Sequence, residues 1–459
     1  MSGPVTTLPR LAAAVALLAP MALVTGAGEL GAQYTSTPEP PAYALRGVTI
    51  VSPDGRRSDG MTILVRDGVI AGLGSNVTIP AGTELLEGES LMVYPGLVDA
   101  QGKARFSFPT PQVDRARVAS WDAPRELQGF TPHRRVVDVL QSTGGDMAAD
   151  RRAGVVAAAV LPEPALMAGQ GTVLLFRPGA RVPTEMVVDP DAGVLFALRG
   201  ARGMYPGTMF AVTTFMRQAF EDAGHHAQVL AAYQQDPRGM TRPVEDADYE
   251  ILHRVLTGDE RVLFDANTME DISFAVRLGE EYGFKPVIVG GADAWKVTDL
   301  LKAHDVPVLV SVDFPAPRRW KPGSDQGTLD AATQREKDDL EAAYANAAKL
   351  SAAGVRFALT SGGGRADLRA GVRKAIEYGL SEEAALRATT AVPAELLGLS
   401  RMMTLAVGSP ATFVVTDGPI FGGDTHVRYT LVEGELEEGT SGGAAQGRSA
   451  SAGSQMEHN

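Results

Sequence analysis

Apolar and polar positions alternate in short runs at both ends of the chain, and the pattern changes to longer units in between. Tyr43 to Val51, Met61 to Arg66, Val69 to Leu73 and Thr83 to Leu86 read as strands, separated by turn residues at Pro53-Asp54-Gly55 and Asp67-Gly68. Asp67-Gly68 lies between Ile63-Leu64-Val65 and Val69-Ile70, which predicts a tight hairpin. Similar runs return at Met403 to Val407, Thr412 to Val415 and Val427 to Val432.

The central region alternates strand with helix. Strands are predicted at Val155 to Val160, Thr172 to Phe176, Glu185 to Val188, Val194 to Leu198, Arg261 to Asp265, Lys285 to Val289, Val306 to Val310 and Arg356 to Leu359. Helices are predicted at Phe210 to Gln234, Met269 to Tyr282, Ala294 to Ala303, Leu329 to Ala353 and Leu368 to Tyr378. Strand, helix, strand at this pace implies right-handed βαβ units on a parallel sheet. Gly169-Gln170-Gly171 reads as a tight turn, and the Arg- and Pro-rich stretch from Pro109 to Gly145, with one helix at His133 to Gln141, as an excursion over the barrel mouth.

One stretch organises the rest. In Val93-Tyr94-Pro95-Gly96-Leu97-Val98-Asp99-Ala100-Gln101-Gly102-Lys103, Pro95-Gly96 marks a passage between layers, and the apolar run ends at Asp99. In a parallel barrel, that strand end is where chemistry sits.

Composition narrows the partners. A chain of 459 residues with a net charge of −13 repels nucleic acid and anionic lipid. The absence of cysteine excludes disulfides, thiolate metal sites and a cysteine nucleophile. Arg10, the apolar run Leu11 to Val24 and the small residues that follow have the pattern of a secretory signal peptide over 1–33. A periplasmic or secreted location follows from it, with no membrane attachment after cleavage. A linker over 34–42 and a disordered Gly/Ser/Ala tail over 438–459 complete the ends.

Tyr94-Pro95-Gly96-Leu97-Val98-Asp99-Ala100 resembles the first barrel strand of the amidohydrolase superfamily, the metal-dependent hydrolases that include imidazolonepropionase and dihydroorotase. Gly379-Leu380-Ser381-Glu382-Glu383-Ala384 through Val392-Pro393-Ala394-Glu395-Leu396-Leu397-Gly398-Leu399 resembles the passage after that family's last barrel strand, and Gly408 to Val415 its return into the β-domain. The resemblance implies a (β/α)8 TIM-like barrel over 93–402, with a composite β-sandwich domain from 43–92 and 403–437.

It also implies zinc or a similar divalent ion, which activates water. The family's ligand positions are altered. Its His-x-His falls on Gln101 and Lys103, and no Lys between Lys103 and Lys285 can supply a bridging carboxylated lysine. Its next two histidines fall on Asp265 and Gly290, and its catalytic Asp on Gly362, beside Ser361. Gln101, Gly290, Ser361 and Gly362 are therefore degenerate binding positions. Neither a metal nor another cofactor is predicted.

No His-x-His, His-Glu-x-x-His, Gly-x-Ser-x-Gly or phosphate-loop motif occurs. His225, His226 and His253 are the remaining imidazole candidates, and Thr360 to Arg365 is a candidate backbone anion cradle. Lys103 and Asp265 are expected to pair in place of the lost cation, with Asp99 sharing the pair.

Two main readings follow. One is an exported pseudo-hydrolase with a binding or structural role, as a homo-oligomer or beside an active homologue. The other is a hydrolase of carbon–nitrogen bonds in a small-molecule amide, with Lys103, Asp265 and Asp99 as catalytic residues. A third, a binding module that stacks ligand on Trp121, Trp295 or Trp320, uses the same mouth.

Overall fold

The computed structural model describes residues 42–86, 90–110, 112–114, 117–200, 203–315 and 326–439, with side chains of the last segment from residue 333. The expected signal peptide, most of the linker, Trp320 and the tail beyond 439 lie outside the described residues.

The N-terminal strands are β1 (Tyr43–Val51), β2 (Arg57–Arg66), β3 (Val69–Gly74), β4 (Glu84–Leu86) and β5 (Met92–Pro95). Asp67 and Gly68 turn β2 into β3 with φ of 52° and 77°, the left-handed pair that a two-residue hairpin requires. After β5 the chain leaves this sheet. Gly96 lies against Val156, where a Cβ would collide with the valine methyls, and β6 (Leu97–Asp99) begins the barrel.

The barrel continues with β7 (Val155–Val160), β8 (Met167–Gln170), β9 (Thr172–Leu175), β10 (Val187–Asp189), β11 (Val194–Ala197), β12 (Val262–Ala266), β13 (Pro286–Gly290), β14 (Val308–Ser311) and β15 (Phe357–Thr360). β6 pairs parallel with β7, and β11 through β15 form a parallel series. The run from β8 to β9 bridges the two groups antiparallel, pairing β9 with β7 and β8 with β11. Gly169-Gln170-Gly171 is thus part of a bent strand and not a tight turn. Gly169 has φ of 124°, and a Cβ there would meet the Arg134 carbonyl at 2.5 Å. Close backbone passage, rather than chain reversal, is what the glycine serves.

Three further strands, β16 (Phe413–Thr416), β17 (Val427–Val432) and β18 (Glu435–Glu438), join the N-terminal set. The β-rich sheet runs β18-β17-β16-β5-β1-β2-β3, with β4 beside β1. The strand expected at Met403 to Val407 is absent. Met402 and Met403 donate their N–H groups to the Leu399 carbonyl, so the chain turns there, and Met403 packs under the barrel. The helix expected at His133 to Gln141 is a single 3₁₀ turn, Val136–Val139. Helix Ala247–Thr257 was not expected, although Asp246 caps its start and Gly258 closes its end in the left-handed conformation. Among the described residues no helix is long and apolar enough to cross a membrane.

Alternation along the strands fixes which side chains enter the lumen. Val98, Leu263, Val287, Val289, Leu309 and Ala358 pack together inside, floored by Ala394, Leu397 and Met403. Leu97, Val155, Phe264, Ile288, Val308 and Leu359 face the helices. By the two-residue period, Asp265 faces inward with Leu263, and Asp99 faces outward with Leu97.

The opposite end of the barrel holds a buried carboxylate. Arg254 Nη2 stands 2.9 Å from Glu260 Oε2 and 3.1 Å from Asp191 Oδ2, yet neither Glu260 oxygen has a hydrogen bond of good geometry. Burial and the neighbouring Asp191 push Glu260 up to about 8, against the pull of Arg254. The folded protein therefore holds this proton more tightly than the unfolded chain. The contribution of this carboxyl to stability is greatest below about pH 4.5 and is lost as pH rises toward 8. Glu260→Gln is expected to raise the unfolding temperature at pH 9 and leave it nearly unchanged at pH 4.5, as read by thermal denaturation at both.

Candidate functional site

The strand ends that carry chemistry in a parallel barrel surround a cavity of about 210 Å³, lined by Gln101, Asp265, Asn267, Gly290, Gly362 and Arg365 among others. Asp265 is its central ionisable group. Arg199, just beyond β11, places Nη2 3.5 Å from Asp265 Oδ1. Burial pushes the Asp265 carboxyl above its ordinary range, while the Arg199 and Arg365 guanidiniums pull it down.

Both glycines at the mouth are packed over by neighbours. Gly290 has φ of 92°, and a Cβ there would fall inside the Asn267 amide. Gly362 has φ of 69°, and a Cβ would meet Ser311 Oγ at 2.5 Å. Asn267 and Ser311 thus occupy the volume that longer side chains at these positions would need.

Asp99 lies on the outer face and latches the barrel shut. Its Oδ1 accepts the N–H groups of Gln101 and Ser361, each at 3.1 Å. Gly363 donates its N–H to the Gln101 carbonyl at 2.7 Å, so β6 and β15 are joined through their following loops. Burial raises the Asp99 pKa, and the hydrogen bonds from Ser361 and Gln101 oppose that rise.

Lys103 and Asp265 do not form the expected pair. The ion pair at Asp265 is with Arg199, and Lys103 opens onto a different cavity beside the barrel wall. The cause is the turn after Asp99. Gly102 donates its N–H to the Ala159 carbonyl, and the Lys103 stem lies against Gly364, where a Cβ would be 2.6 Å from the lysine Cβ. Asp99, also expected in that pair, bonds to backbone instead.

The anion cradle at Thr360 to Arg365 is likewise closed, because its amides are used internally. Ser361 N–H goes to Asp99, Gly364 N–H to Ser361 Oγ at 2.8 Å, and Arg365 N–H to the Ser361 carbonyl at 3.1 Å. The Ser361 hydroxyl in turn reaches the Gln101 carbonyl at 3.3 Å.

The other candidates lie elsewhere. His226 and His253 line a groove between helices Met209–Gln235 and Ala247–Thr257. Trp295 lies under the Lys349 ammonium, 3.5 Å from the ring centre, while Trp121 is exposed on the excursion. The excursion is held by a cluster absent from the sequence reading. Arg125 Nη1 bridges Asp246 and Asp248 at 2.8 Å each, and His133 bonds the buried Asp248. Arg199, Asn267 and Ser311 were also missed. Each lies at or within two residues of a barrel strand's C-terminal end, and that placement was the available signal.

The mouth residues do not fit a divalent metal ion. Gln101 is a weak donor, the Asp265 carboxylate is paired with a guanidinium, and two positions have no side chain. Among the described residues, no three His, Asp or Glu side chains are grouped to hold a metal.

Comparison with known proteins agrees with this architecture. The amidohydrolase family model matches residues 294–444, the last barrel strands and the return into the β-rich sheet. An amidohydrolase structure from Thermotoga maritima MSB8 superposes with a TM-score of 0.69 at 24% identity, covering 86% of this chain and 99% of that one. Molinate hydrolase superposes with a TM-score of 0.50 at 13% identity, over 87% and 95% of the two chains. No curated protein matches the chain. The fold is that of amidohydrolases, a TIM-like barrel with a β-rich domain, and the C-terminal third carries the amidohydrolase family's sequence pattern.

Proposed function

We propose that this chain is an exported amidohydrolase relative that has exchanged its metal centre for an ion pair between an exposed arginine and a largely buried aspartate, and serves as a binding or structural protein. Export rests on the leader pattern at 1–33. The observation that carries the rest is the Arg199–Asp265 pair at the strand end where the family places a metal-binding histidine. A guanidinium there supplies the positive charge that would otherwise come from a metal, and a buried carboxylate without a counter-charge is costly. Asn267 and Ser311, packed over the two glycines, support the same reading.

Hydrolysis of a carbon–nitrogen bond with Lys103, Asp265 and Asp99 has less support, because these residues are distributed over two faces of the barrel wall. Metal analysis of the purified protein, with and without added zinc, tests the proposal alongside turnover of an amide and dipeptide panel. The expected result is no stoichiometric metal and no turnover. One tightly held ion per chain, or metal-dependent turnover, would overturn it.

A further inference from the structure

Lys103 opens onto a second cavity, separate from the barrel mouth. It encloses about 470 Å³ outside the lumen, beside β6 and β7, and has an apolar floor that includes Met147, Val155 and Phe176. That volume is far larger than a bare ion needs and suits a small organic molecule.

Its charges do not balance. Arg105 is taken by Asp146 at 2.7 Å. Arg369 donates to the carbonyls of Ile420 and Thr425 and faces the neighbouring Asp367. That leaves the carboxylates of Asp99 and Asp150 against the single ammonium of Lys103. Arg151 also acts on Asp150, but it is bonded to Glu437 at 2.7 Å and does not line the cavity. Asp99 is 4% exposed, and both N–H groups it accepts fall on Oδ1. Burial raises the pKa of both carboxyls, and each lacks a cation sufficient to reverse that rise. A cationic ligand between these two carboxyls offsets the burial that raises their pKa values, so the cavity favours a ligand that brings one positive charge.

We propose that this side cavity binds a small organic cation, an ammonium group on a short apolar chain, with the charge between Asp99 and Asp150 and the chain over Met147, Val155 and Phe176. Lys103 acts on Asp150 and competes with the ligand there, so removing its charge strengthens binding.

The test is calorimetry with the full chain at pH 7.5 and constant ionic strength, using n-butylammonium chloride as the probe and sodium chloride and n-butanol as controls. Saturable binding of n-butylammonium alone is expected, weakened at least tenfold in Asp150→Asn and tightened several-fold in Lys103→Met. The two variants change the charge balance in opposite directions, so a general loss of folding cannot mimic both results. Absence of saturable binding, equal binding of sodium or n-butanol, or unchanged affinity in Asp150→Asn would each overturn the proposal.

Discussion

Replacing Asp99 by alanine is expected to destabilise the fold by about 3 kcal/mol, and replacing it by asparagine by less than about 1 kcal/mol. The difference lies in what Oδ1 does. It accepts two backbone N–H groups, one from Gln101 on its own strand's exit and one from Ser361 on the exit of the last barrel strand. Alanine leaves both donors without a partner in a buried place, and each orphan costs about 1–3 kcal/mol. Asparagine keeps an oxygen in the same position. The sign of the pH dependence separates charge from hydrogen bonding. Burial raises the Asp99 pKa, so its contribution is most favourable at low pH and declines as pH rises through the folded value. Asp99→Asn should therefore compare better with the parent at pH 8 than at pH 4. Urea denaturation at the two pH values measures both effects. Equal losses for alanine and asparagine would show that Asp99 does not act as the latch.

Placing a histidine at Gly290 is expected to destabilise the protein by more than about 3 kcal/mol, without creating a metal site. Two independent costs add. A φ of 92° lies where L side chains are strained, and the Asn267 amide occupies the space of the new Cβ. Adding Asn267→Gly removes the second cost and leaves the first, so the double variant should recover only part of the loss. Chemical denaturation of the three proteins reads this order. A Gly290→His variant as stable as the parent would mean that the strand end is more open than its packing indicates.

Much of the fold was legible in the sequence because the strong signals are local. Asp67-Gly68 demands a hairpin, Pro95-Gly96 marks the change of layer, and Ser381 caps the helix that follows the last barrel strand, accepting the Ala384 N–H at 3.2 Å. The misreadings arose where non-local packing decides. Met403 to Val407 has strand-like residues, but the preceding turn at Leu399 carries the chain beneath the barrel. Gly169 and Gly171 suggest a turn, but what they permit is close passage of Arg134 and Val160 backbone.

The same limit governed the candidate site. The residues at the ligand positions that the resemblance implies were legible one by one. Which cation faces Asp265 was not, because Arg199 and Asp265 are 66 residues apart and meet only through the pairing of β11 with β12. Lys103 was expected at the mouth because the resemblance places a metal-binding histidine there, whereas the turn after Asp99 carries its side chain to the cavity beside the barrel wall.

The central claim is that an arginine–aspartate pair stands where a metal centre would be expected. Zinc titration by calorimetry, on the parent protein and on Asp265→Asn, tests it most directly. The account predicts no stoichiometric heat of binding from either protein. Binding of one zinc per chain to the parent, lost in Asp265→Asn, would contradict it.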